Sequence, residues 1–246
     1  MCWNYSVSLY FSIVYLVINI YYIVKKPKYW QEYLIFGTFY FIMELFQTMQ
    51  WLFGDVYENS ITGISNCSQI NVNYTIIAHI LIWSQPIMFS YIGYRTNKYK
   101  NIFKYFCYLN CILLFYSLII LDRGFDSNYY SIKNSIYGLS TCTNKGSSGH
   151  LVWRFKPANI EYFPNYLMYL FLCIFSFLMY DKKEIQVIGI GWFTCLIITK
   201  IVLRPKLIEF ASSWCLLSII ANGIIFINTL HIKLSAGNNM KIIEYF

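Results

Sequence analysis

The sequence predicts an all-α membrane protein, a bundle of seven transmembrane helices with an ordered outer loop between the fourth and fifth helices. Hydrophobic residues make up 58% of the 246 residues and charged residues only 12%, with a mean hydropathy of +0.47. Soluble domains do not keep such a balance. The apolar residues also lack the strict alternation typical of membrane barrel strands. The helix is therefore favoured, because it satisfies its own backbone hydrogen bonds in lipid.

Seven apolar runs are long enough to cross a hydrocarbon layer of about 30 Å. Together they predict a single membrane domain over residues 1–246. The runs cover residues 5–24, 33–53, 70–94, 102–121, 163–180, 185–202 and 207–230.

The loop over 122–161 is the one substantial segment predicted outside the membrane. It contains STCTNKGSSGHLVWRFKP, whose Gly, Ser and Asn residues indicate turns rather than a helix. Long loops in compact proteins are usually functional or disordered. Because this loop also carries Trp, Phe and His, we expect an ordered cap over the outer mouth of the bundle.

The positions of Lys and Arg predict that the N-terminus lies outside and the C-terminus in the cytoplasm. With this orientation the inner side holds eleven cations, and the loop between the second and third runs holds none. The net charge of +8 then reflects topology, so the expected partner is a lipid bilayer and not a nucleic acid. The inner cations are Lys25, Lys26, Lys28, Arg95, Lys98, Lys100, Lys104, Lys182, Lys183, Lys233 and Lys241.

Polar side chains inside three of the runs suggest a pocket in the outer half of the bundle. Counted from the outer ends of their runs, Glu44, His79 and Trp214 lie at similar depths, about 10 to 15 Å at about 1.5 Å per residue. An acid at this depth usually faces the protein interior. The pocket would bind a small ligand, a lipid headgroup or a proton; the alternative is a buried hydrogen-bond network that only stabilises the bundle. The candidate residues are Glu44, Gln47, His79, Gln85, His150, Trp153 and Trp214.

No cofactor and no metal site are expected. The chain has three histidines and neither an HExxH motif nor paired CxxC motifs, so a zinc site would have to combine Glu44, His79 and His150. No GxSxG motif surrounds a serine. Whether the protein is an enzyme stays open. Two alternatives remain: an intramembrane lipid hydrolase, with Glu44 and His79 as acid and base or as metal ligands, and a structural component of a membrane or virion.

The cysteines divide according to the side of the membrane. Cys2, Cys67 and Cys142 are predicted outside, and the other five lie within or beside apolar runs, where they act as small packing residues. A disulfide between Cys67 and Cys142 would tie the second loop to the cap, with Cys2 as a competing partner for either cysteine.

Several short blocks in this order resemble an uncharacterised family of seven-span membrane proteins from bacteria and large DNA viruses. The resemblance implies a shared fold and a shared site, but no reaction. The chain is richer in Tyr, Asn and Lys than that family, which suits a viral or protist source and a host or virion membrane. The blocks are Met1-Cys2-Trp3 with Asn4 and Ser6, Met43-Glu44 with Gln47, Cys67, His79 with Gln85-Pro86, Cys142, Gly149-His150-Leu151-Val152-Trp153 with Pro157, and Trp214-Cys215.

Overall fold

The computed structural model describes residues 4–58, 68–121, 141–146, 149–154, 163–203 and 218–230. These residues form seven α-helices and three short strands. The helices are α1 (Tyr5–Lys25), α2 (Trp30–Phe53), α3 (Gln69–Thr96), α4 (Lys100–Ile119), α5 (Tyr166–Leu178), α6 (Lys183–Ile198) and α7 (Ser218–Leu230). A π-helical turn, Thr199–Leu203, continues α6.

Three helices begin at a polar side chain that caps the first turn. The side-chain oxygens of Asn4, Ser68 and Asn165 accept hydrogen bonds from the backbone N–H three residues later, at distances of 2.9 to 3.1 Å. The first N–H groups of a helix have no partner within the helix, so such a cap fixes where α1, α3 and α5 start. From its cap, α3 runs for 28 residues and continues through Pro86.

Ion pairs bring alternate helix ends to one side of the bundle. Glu32 at the start of α2 pairs with Arg95 at the end of α3 (2.9 Å), and Lys28 before α2 pairs with Glu184 at the start of α6 (2.7 Å). The hydrogen bond that Lys28 donates to Glu184 raises the pKa of the lysine ammonium above its ordinary value. We call this side the basic end and define it by Lys25, Lys26, Lys28, Arg95, Lys98, Lys100, Lys104, Lys182 and Lys183.

A three-stranded sheet lies at the other end of the bundle, where it contacts the last turns of α2. Its strands are β1 (Tyr57–Glu58), β2 (Cys142–Lys145) and β3 (Leu151–Arg154), in that order. β1 runs parallel to β2, and β2 and β3 form an antiparallel hairpin. Gly149 in the hairpin turn has a φ of +83°, which favours glycine. The described chain is mostly helical, as predicted, and the sheet is an addition to that prediction: Thr, Val and Trp in the outer loop favour strands.

The described residues place aromatic and polar groups inside the bundle and aliphatic and aromatic side chains outside it. The largest fully buried side chains include Tyr15, Tyr22, Tyr33, Phe36, Phe89 and Trp192. The most exposed large hydrophobic side chains include Val24, Tyr105, Phe115, Ile119 and Leu178. A soluble protein rarely exposes contiguous apolar surface on this scale.

Four helices are long and apolar enough to cross a membrane, judged by length and composition: Tyr5–Lys25, Gln69–Thr96, Lys100–Ile119 and Lys183–Ile201. α2 is 24 residues long but is not among them, because buried polar residues such as Glu44 and Gln47 interrupt its apolar run. α5 covers 13 residues and is shorter than the predicted span 163–180, because its cap delays its start. The chain is thus mainly helical with four candidate spans, and the count of seven stays a prediction.

Gly93 of α3 allows α4 to approach closely, and we expect Gly93→Ala to destabilise the bundle. A Cβ at Gly93 would overlap the ring of Phe103, which is 2% exposed and stacks on Tyr180 at 5.8 Å. Overpacking of this kind costs about 1 to 3 kcal/mol and outweighs the better helix propensity of alanine, about 1 kcal/mol. Thermal unfolding in detergent, followed by circular dichroism, measures the change.

Gly223→Ala is the matched control, because a Cβ there meets no atom within 4 Å. We expect this variant to unfold at the wild-type temperature or slightly above it. Equal behaviour of the two variants would show that the contact between Gly93 and Phe103 is not tight.

Candidate functional site

Asn71, in the first turn of α3, attaches the hairpin to the bundle. Its Nδ2 donates to the carbonyl oxygen of Thr143 in β2 (2.8 Å), and its Oδ1 accepts from the Thr143 backbone N–H (2.8 Å). Nδ2 also donates to the carbonyl oxygen of Asp55 (2.9 Å), just before β1. One amide therefore satisfies both backbone groups of Thr143, as a neighbouring strand would do.

The side chains of Thr143 and its cross-strand partner also bond to the bundle. Thr143 Oγ1 lies 2.6 Å from Thr75 Oγ1 and accepts a hydrogen bond from Gln50 Nε2 (3.0 Å). Trp153, which lies opposite Thr143 in the hairpin, donates its indole N–H to Gln50 Oε1 (3.0 Å). Gln50 and Thr75 are fully buried, so these bonds act where water does not compete.

A small cavity lies under Trp153 in the interior of the bundle. Its volume is about 30 Å³, which is room for about two water molecules. Charged side chains do not line it, so its described walls suit a neutral occupant. The lining residues are Tyr40, Ile82, Gln85, Trp153, Tyr166, Tyr169, Trp192, Cys195, Ser218 and Ala221.

Gln85 supplies the amide group at the cavity wall. Its Oε1 accepts hydrogen bonds from the hydroxyls of Tyr169 (2.9 Å) and Tyr40 (3.3 Å), which fix the plane of the amide. Both of these bonds use the oxygen, so the two N–H donors of Nε2 take part in neither. On another wall, Ser218 Oγ lies 2.8 Å from the Tyr15 hydroxyl. The cavity wall therefore combines aromatic rings with an amide group whose plane is fixed.

The other predicted pocket residues that the structure describes do not line this cavity. Glu44 and Gln47 of α2 are fully buried, and His150 in the hairpin turn is 6% exposed. The backbone carbonyl of Glu44 accepts a hydrogen bond from the Thr48 hydroxyl (3.0 Å). Trp214 lies outside the described residues. The structure thus brings together two of the predicted residues, Gln85 and Trp153, and puts them with tyrosines that the sequence analysis did not select.

His79 is fully buried and contacts α4 through Nε2, which lies 2.8 Å from Ser117 Oγ. The Ser117 hydroxyl donates its proton to the carbonyl oxygen of Leu114 (2.7 Å). Which of the two atoms of the His79–Ser117 pair donates depends on the tautomer of the imidazole. The pair links α3 to α4.

Metal coordination gains no support from the described residues, and Cys142 is not among their free cysteines. Within them, no three His, Cys, Asp or Glu side chains come close enough to hold a metal ion, so Glu44, His79 and His150 do not form the combined site considered above. Cys142 is 6% exposed at the start of β2. Its predicted partners, Cys67 and Cys2, lie outside the described residues, so the bridge stays a prediction.

The sequence analysis missed the residues that hold the hairpin. Asn71 and Thr75 are polar, lie four residues apart within an apolar run, and so share one helix face. That spacing could have identified them. Nothing in the sequence relates them to Thr143, which is 68 residues or more away along the chain.

Comparisons with other proteins support the resemblance. Residues 6–235 match a family described as a family of unknown function (DUF5765). The "Uncharacterized protein R287" of Acanthamoeba polyphaga mimivirus is 58% identical over 227 residues, which cover 92% of this chain and 94% of that relative. No solved structure matches the chain. Similarity to an uncharacterised family with a viral relative is confirmed, whereas the membrane location and the short motifs stay predictions.

We expect Asn71→Ala to loosen the hairpin from the bundle. The substitution leaves both backbone groups of Thr143 without their amide partner, and a buried polar group without a partner costs about 1 to 3 kcal/mol. Limited proteolysis and amide hydrogen exchange of β2 measure the effect. Asn73→Ala is the control, because Asn73 is exposed on the same helix. Equal protection of β2 in the two variants would contradict this role of Asn71.

Proposed function

Because the chain belongs to the DUF5765 family, whose function is unknown, we propose its function from geometry: it is a multi-pass membrane protein that binds a small neutral molecule in the cavity beneath the hairpin. The observation that carries the proposal is the cavity itself, in which Gln85 and Trp153 meet. The family resemblance and the candidate spans support the location.

The distribution of apolar surface supports a membrane location. α4 exposes Phe115 (69%) and Ile119 (77%) while it buries Asn110 and Ser117. Water disfavours such an arrangement, whereas lipid favours it, because buried polar groups can then bond to neighbouring helices. The remaining helices complete seven spans if the polar side chains of α2 face the interior of the bundle. Glu44, Gln47 and Gln50 meet this condition, because all three are fully buried.

The basic end supports an orientation with that end in the cytoplasm. Short loops that carry Lys and Arg remain on the cytoplasmic side during insertion. The hairpin then lies outside as a cap, with the N-terminus on the same side and the C-terminus in the cytoplasm.

The cavity walls support a neutral ligand that accepts a hydrogen bond. Gln85 presents N–H donors, Ser218 presents a hydroxyl, and the aromatic rings of Trp153 and Trp192 favour an apolar body. A compact molecule of a few atoms fits the cavity as it stands. A larger ligand requires Trp153 to move. Trp153 can move together with the whole hairpin, or by itself once its indole N–H no longer bonds to Gln50.

We expect the two ends of the bundle to react on opposite sides of a membrane. The variants Lys145→Cys in β2 and Lys100→Cys at the basic end are expressed in a bacterial inner membrane and probed with a membrane-impermeant maleimide. In spheroplasts only Lys145→Cys should label above the parent chain, and Lys100→Cys should label after permeabilisation. The reverse pattern would contradict the orientation, and extraction of the protein by alkaline carbonate would contradict the membrane location.

We expect small neutral probes to enter the cavity. Methanol and xenon should shift the fluorine NMR resonances of Trp153 and Trp192 in fluorotryptophan-labelled protein, assigned with Trp→Phe variants. Gln85→Leu should weaken methanol binding about five- to tenfold, because one hydrogen bond is worth about 1 kcal/mol, and it should leave xenon binding unchanged.

Filling the cavity tests the same proposal from the other direction. Ala221→Val should abolish the binding of both probes, because Ala221 lines the cavity. Ala78→Val is the control, since Ala78 is equally buried but does not line it. Probe binding that survives Ala221→Val would place the probes elsewhere and would leave a purely structural protein as the better interpretation.

A further inference from the structure

The basic end carries more positive charge than its own carboxylates can neutralise. Its nine cations face three acids, Glu32, Asp181 and Glu184, which gives a net charge of +6. Beside the sheet the structure describes the charged side chains of Asp55, Lys145 and Arg154, which give a net charge of +1. Among the described residues the excess positive charge therefore lies mainly at the basic end.

Ion pairs within the basic end account for all three acids. Arg95 pairs with Glu32, Lys28 with Glu184, and Lys182 with Asp181 (3.5 Å). Six exposed lysines make no ion pair with another described residue. They are Lys25, Lys26, Lys98, Lys100, Lys104 and Lys183.

The basic end is held together by bonds that do not use the ammonium groups of these lysines. Asn97 after α3 donates its side-chain N–H to the carbonyl oxygen of Met179 after α5 (2.6 Å). The backbone N–H of Lys98 donates to the Asp181 carboxylate (3.2 Å), and the Lys98 residue is exposed. These bonds connect the helix ends that carry the lysines.

Aromatic rings lie directly beneath the lysines. Lys98 Nζ lies 4.7 Å from the ring centre of Tyr99, Lys26 Nζ lies 5.7 Å from Trp30, and Lys28 and Lys104 have similar partners in Tyr29 and Tyr108. In the described chain these four contacts all occur at the basic end. Tyr and Trp rings favour the level of lipid headgroups, and lysine stems extend over apolar surface to reach that level.

Apolar surface begins immediately beside the charges. Val24 is 65% exposed next to Lys25, and Tyr105 is 70% exposed next to Lys104. A soluble polyanion such as a nucleic acid would neutralise the lysines but leave this apolar surface in water. A phospholipid covers both, because its phosphate meets the ammonium groups and its acyl chains meet the side chains one residue away.

We propose that the basic end is a binding surface for the phosphate groups of anionic phospholipids, formed by the six lysines that no carboxylate neutralises. The proposal rests on the membrane location proposed above, and it is independent of the cavity. Each basic group near an anionic membrane surface strengthens binding about fivefold. Several lipids can bind at once, because the lysines are distributed over the ends of α1, α3, α4 and α6.

Lipid binding to the full-length protein in a neutral detergent tests the proposal. Native mass spectrometry compares the binding of phosphatidylglycerol and phosphatidylcholine at equal concentrations. We expect phosphatidylglycerol to bind at least tenfold more tightly, and the difference to shrink between about 50 mM and about 500 mM salt as charges are screened. Equal binding of the two lipids by the wild-type protein would overturn the proposal, whatever the variants do.

Paired variants locate the surface. Lys25→Gln with Lys100→Gln should weaken phosphatidylglycerol binding about 25-fold, about fivefold for each lysine, and leave phosphatidylcholine binding unchanged. Lys145→Gln with Lys200→Gln removes the same charge away from the basic end and should change neither. An equal loss in both double variants would show an unspecific charge effect and overturn the assignment.

Two further measurements separate this proposal from its alternatives. Inorganic phosphate at about 10 mM should not displace phosphatidylglycerol, because it lacks acyl chains and because the added salt screens its charge. Full displacement would indicate a site for free phosphate instead. The maleimide and fluorine NMR experiments report on the membrane location and the cavity separately. If the protein binds both lipids equally while the maleimide and NMR experiments give the expected results, only the proposed lipid-binding surface is overturned.

Discussion

The amide of Asn71 is the contact on which the outer half of the molecule depends. A strand exposes backbone N–H and C=O groups that need partners, and in β2 one pair of these groups finds them in a side chain of α3. That contact places the opposite strand so that Trp153 reaches Gln50 and covers the cavity. The hairpin, the cavity roof and the end of α2 are thus coupled through a few hydrogen bonds.

A second group of polar contacts holds the middle of the bundle. Asn110 of α4 donates to the carbonyl oxygen of Pro86 (3.1 Å) and to Ser90 (2.9 Å), and Ser90 lies 3.3 Å from Ser176 of α5. In the membrane location that we propose, lipid provides no hydrophobic force between helices, so packing and such hydrogen bonds must hold them together. The same contacts explain how polar residues can be fully buried among apolar helices.

The described walls of the cavity suit a neutral molecule. The cavity is lined by neutral groups, and its one amide is oriented by two tyrosines. His79 contacts Ser117 of α4 and is not among the described residues that line the cavity.

The sequence by itself determined that the chain is mainly helical, that Lys and Arg concentrate in every second loop between helices, and that the outer loop contains an ordered segment. It also selected Gln85 and Trp153. Only the tertiary structure decided that these two line one cavity with Tyr40 and Tyr169, while Glu44 and His79 do not line it. The physical reason is that counting residues gives depth along a helix, at about 1.5 Å per residue, whereas the rotation of each helix about its axis depends on packing against its neighbours. Two side chains at the same depth can therefore face different partners.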